Sequence, residues 1–128
     1  MRPHPALHLL RERRLAEFNT TAASTGSLEF SSTPGTEPPF ALATVESGAI
    51  VAVSIHELDT VKPTNADAVI KLDNNTTVKT LAGADQSASG FVTTFSDQVF
   101  FYVPGPGSDE KIRLLAYSSD ILDAKVIK

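Results

Sequence analysis

The sequence predicts an all-β protein: an antiparallel sandwich of about eight strands, of jelly-roll or immunoglobulin-like topology, preceded by a short N-terminal helix and an extended arm. Three observations predict that class. From Phe40 onward, short runs rich in Val, Ile, Phe, Tyr and Thr follow one another. Turn-forming residues separate these runs at the spacing of a sandwich or barrel. No helical repeat lies between them to serve as a crossover.

The elements follow in order. "HPALHLLRERRLAEF" is the one good helix candidate, with Pro5 suited to a first turn and Leu, Ala, Arg and Glu favouring the helix. Leu7, Leu10 and Arg14 share one side, a narrow stripe, so a helix this short must dock on something to persist. Residues 19–39 change character to Ser, Thr, Gly and Pro, as in an arm lying over a surface, with "SLEFSS" as a short strand within it. The boundary is placed at Pro39, giving an arm (1–39) and a β domain (40–128).

Eight strand candidates follow: "PFALATV", "AIVAVSIHEL", "DAVIKL", "TTVKTL", "GFVTTF", "QVFFYV", "KIRLLAY" and "ILDAKVIK". "LDNNTTV" reads as a hairpin, since Asn tolerates the left-handed conformation of a tight turn. "GADQSASG" reads as a flexible loop. "QVFFYVPGPGSDEKIRLLAY" reads as a hairpin, strand 98–103 and strand 111–118, closed by a stiff "PGPG" turn.

That last hairpin is apolar on both faces, because neighbouring side chains of a strand point to opposite sides. Val99, Phe101, Val103, Ile112, Leu114 and Ala116 are assigned to the core. Phe100, Tyr102, Leu115 and Tyr117 then form a second apolar face that needs the helix, the arm or another subunit to cover it.

At 128 residues the chain is long enough to build a core without staples, and its 41% hydrophobic and 20% charged residues are ordinary for a globular protein. It contains no Cys, which excludes disulfide and thiolate chemistry. The net charge of −4 argues against a dedicated nucleic-acid binder. It is unevenly spread: four arginines against two glutamates give residues 1–17 a charge of +2, which leaves −6 on the rest. Arg11 and Arg14 are the cationic candidates for contact with a partner. No stretch approaches the ~20 apolar residues of a transmembrane helix, and "ALHLL" makes a poor signal-peptide core. The chain is expected to be an unprocessed cytosolic product or one whose leader was removed.

Candidate chemistry is sparse. His56 in "SIHELD" has Glu57 and Asp59 as neighbours, but it is expected to be a strand residue at the rim rather than a general base. His4, His8 and Glu12 have helical spacing for metal ligands, yet His4 precedes Pro5, which pushes it out of helical geometry. Asp73 and Asp85 could join across two loops around Ca²⁺, without the spacing of a known calcium loop. Catalytic residues, cofactor and metal are therefore all expected to be none.

A small β body behind a long arm suits gripping a neighbour better than chemistry. In composition and arrangement, though through no motif, the chain is similar to accessory proteins of bacteriophage particles, such as capsid decoration or cement proteins and head–tail structural modules. That resemblance implies a non-enzymatic virion protein that associates with itself, for instance as a trimer, and with a larger shell, without contacting membrane or nucleic acid. The interface is expected at Leu7, Leu10, Arg11, Arg14, Phe100, Tyr102, Leu115 and Tyr117. The alternative is a secreted or surface adhesion or carbohydrate-binding sandwich, and a cupin-like hydrolase or isomerase ranks third for want of a His cluster.

Overall fold

The computed structural model describes residues 11–16, 25–73 and 75–128. Over these the chain is mostly β, with antiparallel sheets and a short N-terminal helix. The described residues 11–16 are helical and belong to the helix α1. Seven strands follow among the described residues: β1 (Gly26–Pro34), β2 (Phe40–Ala43), β3 (Ala49–Pro63), β4 (Ile70–Lys71), β5 (Gln86–Ser87), β6 (Phe91–Val103) and β7 (Arg113–Val126). A second helix, α2 (Thr76–Ala82), stands between β4 and β5. The main sheet has the order β1-β3-β6-β7, with β2 also on β3, and β4 pairs with β5 in a two-stranded ribbon.

"SLEFSS" forms a strand as expected, and β1 belongs to the main sheet beside β3. Other expectations change. "TTVKTL" is helix, not strand: the Asn75 side chain accepts a hydrogen bond from the Val78 amide at 3.1 Å, capping the first turn of α2. That cap outweighs the β preference of Thr and Val. "LDNNTTV" is therefore a turn leading into a helix rather than a hairpin. "GADQSASG" contains β5, and its Ser87 is buried, with Oγ accepting from the amides of Ser89 and Gly90 at 3.1 and 2.9 Å. Two pairs of expected strands are single long ones: "GFVTTF" and "QVFFYV" merge into β6, and "KIRLLAY" and "ILDAKVIK" into β7. The expected turn after Val103 is the connection 104–112, so Ile112 precedes β7 and is exposed rather than in the core.

By compactness the chain divides into two units. The first comprises Met1–Ser31, Leu58–Thr94 and Ile121–Lys128. Its buried hydrophobic residues are Ile70, Val78, Phe91 and Ala124, drawn from β4, α2, β6 and β7. There α1 is held by its arginines: Arg14 Nη1 lies 2.8 Å from Asp59 Oδ1 on β3. The guanidiniums of Arg11 and Arg14 each lie 6.0 Å from the centre of the Phe30 ring on β1. Gly90 ends the turn before β6, where a Cβ would fall 2.1 Å from the Val61 carbonyl oxygen.

The second unit comprises Ser32–Glu57 and Phe95–Asp120. Val99 is its one buried hydrophobic residue, accompanied by the buried carboxyl groups of Glu57 and Asp97. Apart from Val99, its large apolar side chains all keep contact with solvent.

Candidate interaction surface

The bare surface of the second unit starts from a hairpin. Thr44 donates its amide to the Gly48 carbonyl at 2.9 Å, and the Ser47 amide donates back to the Thr44 carbonyl at 3.2 Å. Ser47 has φ +65°, so the loop 45–47 is a tight turn followed by a left-handed residue, a standard three-residue hairpin connection. The turn fixes the register of β2 on β3, with Phe40 opposite Ala52 and Leu42 opposite Ile50. Residues directly opposite in a sheet share a face. Phe40, Leu42, Ile50 and Ala52 therefore stand on one side, and Ala41 and Ala43 on the other.

This side is apolar and open. Phe40 is 60% exposed, Leu42 56% and Ile50 37%. Tyr102 of β6 belongs to the same side: a Cβ on Gly48 would lie 2.7 Å from the Tyr102 hydroxyl and 2.9 Å from its ring. The absence of a side chain at Gly48 is what lets the ring lie down there. The Arg113 guanidinium then covers Tyr102, 5.1 Å from the ring centre, a cation–π contact at the border of the patch. Alternation along β6 sets Phe100, half-buried, on the side of Tyr102.

The sequence-derived interface residues are distributed as follows. Leu7 and Leu10 lie outside the described residues. Arg11 and Arg14 are half-buried against Phe30 and Asp59 within the first unit. Phe100 and Tyr102 are half-buried in the second unit. Leu115 and Tyr117, 50% and 45% exposed, stand in β7, the last strand of the sheet order. His56 falls within β3, half-buried, and alternation turns it to the opposite face from the buried Glu57 and Asp59. Asp73 and Asp85 are both exposed.

Sequence reasoning missed Phe40, Leu42 and Ile50. The signal was present in "PFALA", where large and small residues alternate so that one side of a short strand carries all the bulk. It was passed over because large apolar side chains are ordinarily assigned to the core.

Among the described residues no helix is long and apolar enough to cross a membrane. No protein-family model, curated protein or solved structure matches the chain.

Proposed function

We propose that this chain is a non-enzymatic assembly protein, a β domain that associates with copies of itself and is fixed to a larger particle through residues 1–39. The observation that carries the proposal is the open face of Phe40, Leu42 and Ile50, three large apolar side chains more than a third exposed on one side of a hairpin. Scattered apolar residues are normal on a surface, but a contiguous patch beside further aromatic rings marks a contact. The second layer of the sandwich is, in this proposal, a sheet supplied by a neighbouring subunit. The particle is proposed to be a virion, a choice that rests on the resemblance in composition alone.

The test is sedimentation velocity or light scattering at micromolar concentration. The wild-type chain is expected to run larger than a monomer. Phe40→Ser with Leu42→Ser is expected to reduce that size while leaving the melting temperature nearly unchanged, because both side chains already face solvent. A strictly monomeric wild type sinks the proposal.

A further inference from the structure

We infer that two copies of this chain join through the outer edge of β2, their β2–β3 hairpins forming one continuous sheet across a two-fold axis at Ala41. This rests on the self-association proposed above and specifies one of its contacts. β2 is bonded to β3 on one edge and to no other strand among the described residues. All four of its residues are exposed, as are Pro38 and Pro39 before it and residues 45–47 after it. The outer edge is therefore open to another chain.

Which backbone groups this edge offers follows from the hairpin register. The Thr44 amide bonds to the Gly48 carbonyl, and in an antiparallel ladder residues turned toward the partner strand alternate with residues turned away. Thr44, Leu42 and Phe40 thus direct their amides and carbonyls to β3. Ala43 and Ala41 direct theirs outward, as does the carbonyl of Pro39, a residue without an amide hydrogen. Unpaired outward groups of this kind are the template on which a further strand adds.

The occupant is a second β2 because the edge is complementary to itself in one register. A two-fold axis perpendicular to the sheet keeps each side chain on its own face. With the axis at Ala41, each Ala41 amide bonds to the Ala41 carbonyl of the other copy. Each Ala43 amide bonds to the Pro39 carbonyl of the other copy, so both outward amides are used and the missing amide of Pro39 leaves no donor idle. On the apolar side, Phe40 stands opposite Leu42 of the other copy, twice, and the two open faces become one. Moving the axis to Phe40 sets Leu42 against Pro38. Moving it to Leu42 sets Phe40 against Thr44, and moving it to Ala43 sets Phe40 against Glu46. Only the Ala41 register pairs both large side chains with each other, and such aromatic–aliphatic pairs across strands are stabilising.

The chain contains no Cys, so a single introduced thiol reports on the axis. Ala41→Cys sets two thiols face to face on a hydrogen-bonded pair, whose Cα separation of about 5.5 Å suits a disulfide. Under mild oxidation it is expected to cross-link about tenfold faster than Val45→Cys, whose thiol meets Glu37 rather than its own copy. Random collision predicts the reverse order, because Val45 is fully exposed at the tip of the turn. In sedimentation velocity, Ala41→Pro is expected to weaken association about tenfold or more, since both amides at the axis are lost. The β2–β3 bonds are untouched by that change, as proline is tolerated where an edge amide faces outward, and circular dichroism melting checks it. Val45→Cys cross-linking as fast as Ala41→Cys overturns the β2 contact, and so does a folded Ala41→Pro protein that associates like wild type. Either result leaves self-association standing. A monomeric wild type overturns both.

Discussion

The Ser119 hydroxyl of β7 donates a hydrogen bond to Asp97 Oδ1 of β6, joining two polar residues in the middle of two long strands. Asp97 is fully buried, and its second oxygen, Oδ2, has no hydrogen-bond partner. A buried polar group without a partner costs more than the bond it would make contributes. Ser119→Ala, which strands the remaining oxygen, is therefore expected to destabilise the protein by about 1–3 kcal/mol. Replacing both partners, Asp97→Val with Ser119→Ala, is expected to cost less than Ser119→Ala alone, since nothing polar is then left unpaired. Urea titrations of the two variants decide it, and a Ser119→Ala protein as stable as wild type would show that the bond is not stabilising.

The same pair explains where the sequence misleads. "FSDQV" and "YSSDI" read as breaks between strands, because Ser and Asp bond readily to nearby backbone and favour turns. In the fold the two polar stretches meet across the β6–β7 pair, where Ser119 bonds to Asp97, and neither strand is interrupted. Such compensation is invisible to a reading of one segment at a time. The β class itself was legible, because periodicity and β-branched content are local properties. What was hidden depends on partners distant in sequence. Arg14 reads as surface charge until Asp59, 45 residues away, is placed beside it.

Ser47 holds φ +65°, a conformation that costs a residue with a side chain about 1–2 kcal/mol. Ser47→Gly is expected to raise stability by about 0.5–1 kcal/mol, the remainder being lost to the greater freedom of Gly in the unfolded chain. Ser47→Val, whose branched Cβ tolerates that region poorly, is expected to lower it. Thermal melts of the two variants should move in opposite directions. Movement in the same direction would mean that the hairpin turn is not under the strain its dihedral angle indicates.

Gly90 combines two constraints. Its φ is +107°, and a Cβ would fall 2.1 Å from the Val61 carbonyl oxygen, a backbone atom that cannot rotate away. Gly90→Ala is expected to cost about 3 kcal/mol or more, through strain and displacement of β3 from β6 together. Gly83 serves as a control: it is also left-handed, at φ +71°, but nothing lies within 4 Å of its missing Cβ. Gly83→Ala should thus cost about 1–2 kcal/mol, the conformational term alone. Equal losses at the two positions would refute the steric part of the explanation.

Arg14 ties α1 to β3 and β1. Its ion pair with Asp59 is largely shielded from water, with 16% and 10% of the two side chains exposed, and its guanidinium also lies beside the Phe30 ring. Removing the guanidinium takes a charged partner away from the buried Asp59 carboxylate, which costs more than the intact pair contributes. Arg14→Gln is expected to lower stability by about 2–4 kcal/mol. Arg14→Lys should fall between the two, since Lys keeps the charge but loses the planar fork that bonds the carboxylate and stacks on the ring. Hydrogen exchange at the amides of residues 11–16 gives the direct readout. Exchange should accelerate in the order wild type, Lys, Gln, because a short helix has too few internal hydrogen bonds to persist undocked. Unchanged protection in Arg14→Gln would mean that contacts other than this arginine dock the helix.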